Sequence, residues 1–511
     1  MRPFRPQYFL REARRSRVRQ VVGGAHRSYA SSATNPEVYD LVCVGGGPAG
    51  LSLVNALRSN GSTSHLKIAL IDSQDLSKIS HGQHNASPTD YSNRCSSLTP
   101  ASMAFLDTIG ASPHLNTSRV RPYNHMNVWD GITGQHITFD WATAHGFPSL
   151  EPNPITASAI SSAESKTIAY MTENSNLVSA LLARSAALDA STSHPLTLYS
   201  STKVDNVELG TQSEDPEGVD LRSWPLVTLS NGATLAARLL VGADGPNSFV
   251  RTFAGIQSRG WDYERMGVVA TLELESPTAA EPESATAYQR FLPSGPAALL
   301  PLPGNYATLV WSTHPSYAAR LRELNEEDAI AMVNAAFRLS SVDLEYLHTI
   351  SSGQADEVAW RLQHTQFNND LVPPQVMGIK KGSVAAFPLR MRHADTYTGE
   401  RVALVGDAAH TMHPLAGQGL NSGLLDAAAL ARTISDAVNS GADIGDTLSL
   451  EGYNTARYAA NHALLGAVDK LHKVYSWQSG PVVWGRSLGL GVVERWGGLK
   501  GLFMGGASGG A

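Results

Sequence analysis

Residues 38–72 alternate between apolar and polar stretches in the order that predicts a strand, a helix and a second strand. The run Val38–Val44 is mostly apolar and predicts a buried strand, and a helix is expected from about Pro48 to Arg58. A second apolar run, Leu66–Ile71, predicts another buried strand. Two buried strands joined by a helix form a βαβ unit, which is the building block of parallel sheets.

Later parts of the chain carry different patterns. Two strand-like runs flank Asn231 and the glycine after it, a pair that predicts a tight hairpin. Residues 256–394 contain several runs of strand length, so a sheet domain is expected there. Within it, 350–381 has weak periodicity and is expected to be a surface insertion. Periodic apolar positions predict helices over 419–439 and 452–475.

Positive charge is concentrated at the N-terminus. Residues 1–33 hold eight arginines and one acid and so carry +7, whereas the whole chain carries −6. An Arg-rich, acid-poor leader is typical of a mitochondrial presequence. The alternative is a basic tail that binds nucleic acid or anionic lipid. The remaining chain is acidic, which argues against a nucleic-acid partner because phosphates require clustered positive charge.

The rest of the composition is that of an ordinary globular protein, with 42% hydrophobic and 16% charged residues. The sequence contains no run of about 18 apolar residues, so no transmembrane helix is expected. Its two cysteines, Cys43 and Cys95, give no basis for a disulfide framework or a zinc site. His410 and His413 are spaced as a metal pair can be, but they lie inside a glycine-rich motif, and no metal site is expected.

The first of three glycine-rich motifs lies between the strand and the helix of the βαβ unit. Gly45 permits a tight turn, Gly47 lets the backbone approach a pyrophosphate, and Gly50 allows the helix to pack closely on the strand. The helix N-terminus then presents free N–H groups to phosphate. A carboxylate at the end of the second strand can accept hydrogen bonds from a ribose. The pattern predicts an adenine dinucleotide. The residues expected to contact it are Gly45, Gly47, Pro48, Ala49, Gly50 and Asp72.

The other two motifs extend this site. Gly242–Ser248 has the same strand-turn-helix pattern, and its Asp244 is expected either to reach the cofactor or to hold the loop in place. In the third motif a predicted strand ends before Asp407, which is placed to hold a polyol such as ribitol. A helix that begins near Gly417 offers N–H groups where a flavin becomes negative on reduction. The three motifs together predict one FAD site. The residues expected at its flavin end are Gly406, Asp407, Pro414, Gly417, Gln418, Gly419, Leu420 and Asn421.

In these motifs the chain resembles the aromatic-ring hydroxylases, a family of single-component flavoprotein monooxygenases. Their three fingerprints match the three glycine motifs in order. Within the family the chain is most similar to the mitochondrial branch that serves ubiquinone biosynthesis. The stretches that carry this closer similarity are Tyr91–Pro100, Tyr288–Pro296, Ala298–Leu302, Leu309–Ser312 and His413–Asn421.

The resemblance covers about residues 36–475 and implies an α/β fold. An FAD-binding Rossmann-like domain is interleaved with a β-sheet substrate domain, as in p-hydroxybenzoate hydroxylase, and a helical C-terminal segment follows. The expected segments are a presequence at 1–33, the first part of the FAD-binding domain with part of the substrate domain inserted at 36–255, the substrate domain at 256–394, the second part of the FAD-binding domain at 395–475, and a tail at 476–511.

The resemblance also implies a reaction. Reduced flavin and molecular oxygen form a C4a-hydroperoxide that hydroxylates ring carbon 5 of a 3-polyprenyl-4-hydroxybenzoate or its 4-amino counterpart. Electrons come from a ferredoxin and ferredoxin reductase, and Arg94 lies near FAD. The enzyme is expected to be peripheral on the matrix side of the mitochondrial inner membrane, in a complex with other ubiquinone-biosynthesis proteins. No individual catalytic residue is predicted.

Several alternatives remain open at this point. One alternative function is that of an NADPH-dependent aromatic hydroxylase of secondary metabolism. The other is that of a flavin-bound structural subunit of the quinone-synthesis complex. Arg290 and Phe291 are expected either to face substrate or to pack in an edge strand. The tail after residue 476 is expected either to lie on a membrane or to pack against the body. A basic patch for an acidic ferredoxin competes with a merely solvated surface. Its members are Lys380, Lys381, Arg390 and Arg392.

Overall fold

Two large β-sheets and a small third sheet organise the part of the chain that the computed structural model describes. The described residues are 36–79, 87, 89–140, 167–211, 220–276, 285–369, 371–414, 417–477, 480, 483 and 485–486. The predicted presequence and almost all of the predicted tail lie outside these residues.

Twenty strands lie in the described residues. They are β1 Glu37–Val44, β2 Ile68–Ile71, β3 Cys95–Leu98, β4 Arg121–Tyr123, β5 His125–Asp130, β6 His136–Asp140, β7 Ala169–Glu173, β8 Thr197–Tyr199, β9 Val204–Leu209, β10 Pro225–Leu229, β11 Thr234–Gly242, β12 Ser258–Leu274, β13 Thr286–Leu292, β14 Gly295–Pro301, β15 Tyr306–Thr313, β16 Val376–Ile379, β17 Ala385–Ala394, β18 Thr398–Gly399, β19 Val402–Leu404 and β20 His410–Thr411.

The described α-helices are α1 Pro48–Ser59, α2 Pro100–Thr108, α3 Asn174–Asp189, α4 Phe249–Phe253, α5 Pro315–Glu323, α6 Glu326–Arg338, α7 Ser341–Leu347, α8 Gln354–His364, α9 Gln418–Asn439 and α10 Thr447–Ser476. Single 3₁₀ turns occur at Ser112–His114, Thr117–Arg119 and Gly406–Ala408.

The first large sheet contains the predicted βαβ unit. Its main path runs β18-β19-β11-β1-β2-β8, with β10 beside β11 and β9 beside β10. The pairings of β1 with β2, β1 with β11, β2 with β8 and β11 with β19 are all parallel. Helices α1, α3 and α9 pack together beside this sheet. Strands buried on both faces are apolar throughout, which is why β2 reads Ile-Ala-Leu-Ile with every residue buried.

The second large sheet runs β20-β17-β12-β15-β14-β13-β5-β6, and β16 also pairs with β12. All of its pairings are antiparallel except that of β13 with β5. Helices α5 to α8 cover one of its faces, where Leu299, Leu309 and Trp311 are each no more than 2% exposed. The expected strands in residues 256–394 and the α/β fold class are confirmed.

The expectation of a surface insertion at 350–381 is wrong. This segment contains α8 and β16, and its Val358 and Val376 are 3% and 1% exposed in the core beneath the second sheet. Helix α8 buries only Gln354 and Val358 and leaves Trp360 56% exposed, so its apolar residues do not mark a single buried face in the sequence. The segment is a structural part of the sheet domain.

The C-terminal part of the described chain is helical, as expected. Helix α9 packs against α1, and α10 follows as a 30-residue helix that runs from the first sheet to the second. None of the helices in the described ranges is both long enough and apolar enough to cross a membrane.

Candidate cofactor and active site

The three glycine motifs meet because the strands before them end side by side. In the parallel register Val44 lies opposite Ile71 on one side and Gly242 on the other, and Gly242 lies opposite Leu404. The Ala243 N–H donates to the Val44 carbonyl at 2.7 Å, which fastens the second motif to the first. The carboxyl edge of a parallel sheet is where such folds bind ligands. The predicted convergence of distant loops is therefore present in the structure.

The glycines of the first motif differ in what surrounds them. Gly45 has φ +113°, and a Cβ there would lie 2.1 Å from the Ala243 carbonyl oxygen. A Cβ on Gly50 would lie 2.0 Å from the Gly45 carbonyl oxygen. Gly47, by contrast, has no heavy atom within 4 Å of the position that a Cβ would take, so protein packing does not demand a glycine there. An open approach at the N-terminus of α1 suits the pyrophosphate of a dinucleotide.

The N-terminus of α1 and the residue that follows β2 add two further features. Pro48 occupies the first turn of α1, and no side chain caps its N-terminus. Its N–H groups are therefore available to an anion. Asp72 accepts hydrogen bonds from the backbone N–H groups of Gly46 and Gln74, both at 2.6 Å. It holds the first motif in shape, and its expected contact with a ribose stays a prediction.

Asp244 holds its own loop. Its Oδ2 accepts from the N–H groups of Phe249 at 2.7 Å and Val250 at 3.3 Å, at the start of α4. Its Oδ1 is buried and has no hydrogen-bond partner in the structure. A buried carboxylate oxygen without a donor is costly, so a ligand that supplies one fits this position. The loop-holding role is present, and the cofactor role stays open.

A buried ionic network lies beneath the third motif. The carboxylate of Asp426, on α9, accepts from the Gly406 N–H at 3.1 Å and from Arg457 Nε at 2.8 Å, and its Oδ2 lies 2.6 Å from His410 Nε2. Desolvation raises the pKa of Asp426, but His410 and Arg457 outweigh it and bring the pKa to about 2. The aspartate is thus ionised and fixes the motif. No local pattern predicted this network, because its members come from separate elements.

The side chain of Asp407 is exposed to solvent, yet protein surrounds it on several sides. Its two neighbours are buried, whereas its own side chain is exposed. Even so, surrounding protein raises the pKa of Asp407 by desolvation, with His410 acting in the opposite direction. The side chain is thus reached by solvent and is also closely surrounded by protein. Both hold together for a side chain that projects into a concave site, as a ribitol-binding carboxylate would.

The N-terminus of α9 is the second uncapped helix start in the site. Gly417 precedes it with φ +59°, a conformation that favours glycine, and no side chain caps the helix. Asn421 is 1% exposed and accepts from the Thr99 N–H at 3.0 Å while donating to the Ser97 carbonyl at 2.8 Å. It therefore ties α9 to the turn before α2. Five other residues that were predicted for this end of the site are partly exposed. They are Pro414, Gly417, Gln418, Gly419 and Leu420.

Arg94 is an exposed residue in a loop whose shape is fixed by a buried ion pair. Glu173 accepts from the Ser92 N–H at 2.5 Å and from Arg119 Nε at 2.5 Å, and both members of that ion pair are buried. Arg119 also donates to the Asp90 carbonyl at 2.8 Å. The pair anchors the loop, so the Arg94 side chain is free to project outward. Sequence reasoning missed both members of the pair, which lie 54 residues apart.

The second sheet turns its uncovered face toward this loop and the third motif. Four residues lie opposite one another across four strands of this face, each half-buried: Ala298, Val310, Val269 and Ala385. We call this face the cleft face. Phe387, on the same face of β17, is 41% exposed. Small, half-buried apolar side chains leave room for a planar apolar ligand.

Both borders of the cleft face are fixed to the cofactor loops. At one end Asn93 Nδ2 donates to the Ser383 carbonyl at 2.5 Å. At the other end His413 Nε2 lies 3.5 Å from Ser312 Oγ, and the His413 ring contacts Tyr263 and His472. Burial, with a smaller contribution from His472, lowers the pKa of His413 to about 3, so it is neutral. Among the described residues no group of three His, Cys, Asp or Glu side chains is arranged to hold a metal ion.

Two further expectations are decided by packing. Arg290 is buried and donates to the Ala336 carbonyl at 3.0 Å, and burial lowers its pKa to about 10. Phe291 stacks on Tyr475 with ring centroids 3.9 Å apart. Both residues pack, and neither is free to face substrate.

The basic patch expected for a ferredoxin is largely neutralised. Lys380 pairs with Asp90, and Arg390 and Arg392 share Asp262. An exposed ion pair presents little net charge to a partner.

Comparison with known proteins agrees with this geometry. A family model described as "FAD binding domain" matches residues 38–368 and 351–466. The ubiquinone biosynthesis monooxygenase COQ6, mitochondrial, of Schizosaccharomyces pombe is 39% identical over 494 residues, with 95% of each chain covered. The protein of the same name in Homo sapiens is 36% identical over 481 residues, with 94% of each chain covered.

Solved structures with the same fold include two bacterial monooxygenases. The p-nitrophenol 4-monooxygenase PnpA of Pseudomonas putida superposes with a TM-score of 0.60 at 16% identity, covering 92% of this chain and 97% of its own. PqsL, a probable FAD-dependent monooxygenase of Pseudomonas aeruginosa, gives 0.58 at 20% identity, covering 89% and 100%. These similarities bear on the fold alone. From the family match and the close relatives, the chain belongs to the FAD-dependent monooxygenase family that includes the ubiquinone biosynthesis monooxygenases.

Proposed function

We propose that this enzyme hydroxylates ring carbon 5 of a 3-polyprenyl-4-hydroxybenzoate, or of its 4-amino counterpart, during ubiquinone biosynthesis. The observation that carries the proposal is the meeting of the glycine loops with the cleft face of the second sheet. The relatives are named as ubiquinone biosynthesis monooxygenases, which supports the pathway. A ring held on small apolar side chains beside an FAD site suits an aromatic substrate.

The residues proposed to hold FAD divide between its two ends. The uncapped start of α1 with Gly47 would receive the pyrophosphate, and Asp72 would meet the ribose. Asp407 would hold the ribitol, and the uncapped start of α9 would face the isoalloxazine, with Arg94 nearby. When bound, FAD supplies the reduced flavin that activates molecular oxygen. The orphaned Oδ1 of Asp244 and the open space at Gly47 both fit this occupant.

The protein itself has little proton chemistry to perform. The 4-hydroxyl or 4-amino group of the substrate already activates the neighbouring ring carbon toward an electrophilic oxygen. The cleft face must orient the ring, and the surrounding elements must exclude water so that activated oxygen is not wasted. The buried, neutral His413 and the half-buried apolar row serve those two needs.

The electron donor is proposed to be a ferredoxin with its reductase. The resemblance to the ubiquinone-biosynthesis branch supports this donor, and the sequence contains no separate second dinucleotide fingerprint for a stably bound NADPH. Rapid mixing of the purified holoenzyme with reduced ferredoxin plus reductase should reduce the flavin faster than NADPH alone does. Faster reduction by NADPH alone would favour the hydroxylase of secondary metabolism instead.

The proposed location is the matrix side of the mitochondrial inner membrane, in a complex with other ubiquinone-biosynthesis proteins. The relatives are named as mitochondrial, and residues 1–33 have the charge of a presequence. A fluorescent fusion of residues 1–33 should accumulate in mitochondria. Retention of the fusion in the cytosol would argue against the leader.

The reaction is tested by analysing quinone intermediates in cells that lack the protein. The polyprenylated ring compound without the carbon 5 hydroxyl should accumulate, and the intact gene should remove it. The Asp407→Ala variant separates a catalyst from a structural subunit in cells whose FAD supply is low enough to leave the weakened variant without FAD. If that variant loses FAD yet still restores ubiquinone, the catalytic proposal is wrong.

A further inference from the structure

Strand β12 contains an irregular segment close to the third glycine motif. Before this segment Asp262 pairs with Arg390 of β17. After it Met266 pairs with Pro388, so three residues of β12 lie opposite one residue of β17. Within the segment Glu264 has φ +51°, a strained conformation for a residue with a side chain. Extra residues in a strand redirect its side chains, and strained backbone persists only where the surrounding structure holds it. The irregular segment therefore directs a side chain to a place that a regular strand would not reach.

Tyr263 is the residue of this segment that contacts the third motif. The edge of its ring meets the His413 ring, with centroids 5.0 Å apart and planes at 86°. A second edge contact joins it to the His472 ring of α10, with centroids 4.7 Å apart. Its hydroxyl donates to Asp469 Oδ1 at 3.2 Å. Burial, together with Asp469, raises the pKa of Tyr263, so the hydroxyl stays protonated and can donate. One tyrosine thus bridges β12, the third motif and α10.

The His413 ring is enclosed by three elements, and the residue is 1% exposed. Tyr263 contacts it from β12. The His472 ring on α10 lies 4.8 Å away between centroids, and Ser312 Oγ on β15 lies 3.5 Å from His413 Nε2. A ring that is packed on three sides cannot turn without moving the backbone that carries it. The contact from Tyr263 therefore helps to fix the backbone of His413.

The backbone after His413 continues directly into the flavin end of the proposed site. The next residue is Pro414, whose carbonyl accepts a hydrogen bond from the Gly417 N–H at 2.9 Å. Gly417 precedes α9, and no side chain caps the N-terminus of this helix. The free N–H groups of a helix start stabilise negative charge only on a group that is held in front of them. A contact that fixes His413 therefore also affects where the start of α9 lies.

We propose that Tyr263 is a positioning residue for the flavin, which holds His413 so that Pro414 and the start of α9 keep their place against the isoalloxazine. Tyr263 acts through His413 rather than on the substrate. Reduced flavin is negatively charged and oxidised flavin is not, so a well-placed helix N-terminus binds the reduced form more tightly. The inference deepens the proposed function, on which it rests for the placement of the isoalloxazine at α9.

The test measures how strongly the purified chain prefers reduced over oxidised FAD. Titration of the apoprotein gives the Kd of oxidised FAD, and redox equilibrium of the holoenzyme with a reference dye gives the ratio of the two Kd values. In Tyr263→Leu, which removes the ring, the preference for reduced FAD should fall about three- to tenfold. Tyr263→Phe keeps the ring and should retain most of the preference, which would assign the effect to the ring contact.

Tyr317→Leu is the matched control. Tyr317 is half-buried, as Tyr263 is, and it stacks on a histidine, His348, with ring centroids 4.0 Å apart, but it lies on α5. The control should lose stability without a change in the preference for reduced FAD. A wild-type preference in Tyr263→Leu, with only a lower melting temperature, would mean that this tyrosine merely packs. An equal fall in Tyr317→Leu, or in Tyr263→Phe, would likewise overturn the proposal.

Two further comparisons make the result decisive. If Tyr263→Leu does not fold, Tyr263→Met fills a similar space without a ring and should show the same fall, and a wild-type preference in it would overturn the proposal. The measurement involves no substrate, so hydroxylation can fail while the positioning role stands. A wild-type chain that binds both forms of FAD equally would contradict the placement of the isoalloxazine at α9. An unchanged preference in the leucine variant contradicts the role of Tyr263 alone.

Discussion

The two faces of the second sheet are built from the same strands but serve different purposes. On β15, Leu309 and Trp311 are 2% and 1% exposed beneath the helices, whereas Val310 between them is half-buried on the cleft face. Successive strand residues point to opposite faces, so one strand supplies both the core and the active-site wall. On the helix-covered face Leu309 and Trp311 are tightly packed, whereas the row across the cleft face consists of Ala298, Val310, Val269 and Ala385. The difference separates side chains that stabilise the fold from side chains that are proposed to contact the substrate.

The largest effect is expected on the helix-covered face. Leu309→Ala should lower the free energy of unfolding by about 2–5 kcal/mol, because it removes a fully packed side chain and leaves a cavity. Urea unfolding followed by circular dichroism measures the loss. The flavin of the folded variant should keep its wild-type absorption spectrum. A loss below about 0.5 kcal/mol, the range of surface substitutions, would break the distinction between the two faces.

The neighbouring position should respond in the opposite way. Val310→Trp should leave the unfolding free energy within about 1 kcal/mol of wild type, because Val310 is only half-buried. The larger ring would occupy the cleft and displace the substrate, so kcat/KM should fall by about 100-fold, equivalent to about 2.7 kcal/mol. Steady-state turnover with intact FAD content provides the check. Wild-type turnover in this variant would mean that the substrate binds elsewhere.

A smaller effect is expected from the cofactor side of the cleft. Asp407→Ala should weaken FAD binding by about tenfold, near 1.4 kcal/mol, because a charged hydrogen-bond acceptor is lost. Asp407→Asn, which keeps an acceptor, should lose less. Quenching of flavin fluorescence during titration of the apoprotein measures both. Equal affinity of the alanine variant and wild type would remove Asp407 from the site.

The smallest effect is a dependence of stability on pH through His348, beneath the helix-covered face. Burial, with Arg320 and His314, lowers the pKa of His348 to about 4, from an ordinary value of 6.5. Folding therefore favours the neutral ring, so its stabilisation is full above pH 6.5 and is lost as the pH falls toward 4. Between pH 7 and pH 6 the loss is roughly 0.7 kcal/mol. His348→Phe, which preserves the stacking on Tyr317, should reduce the change of the urea midpoint over this interval by about this amount, while His393 and His413, whose pKa values are also lowered by burial, continue to contribute. An equally steep midpoint in the variant would assign the dependence to other groups.

The sequence predicted those features that local pattern determines. The βαβ unit, the hairpin at Asn231 and the meeting of the glycine loops follow from short runs and from the rule that parallel strands end at one edge. The sequence locates the third glycine motif, but it does not identify the residues that hold this motif in place. Asp426 and Arg457 hold it from two helices, and nothing in their own neighbourhoods marks them as partners.

The second sheet was harder to predict for a physical reason. Strand β12 is 17 residues long, but it contains an irregularity between Asp262 and Met266 that interrupts the alternation of faces. The buried pair of Arg119 and Glu173 joins segments 54 residues apart. The half-buried row on the cleft face becomes visible only when four strands are set in register. Tertiary pairing, which one sequence does not display, decides all three.

The proposed function requires that FAD and the cleft face together place a hydroxyl group on the substrate ring. The most direct measurement is mass spectrometry of the product formed by the holoenzyme from a short-chain 3-polyprenyl-4-hydroxybenzoate under ¹⁸O₂, with ferredoxin and its reductase. One ¹⁸O atom should appear at ring carbon 5. An unlabelled product, or a label at another ring position, would contradict it.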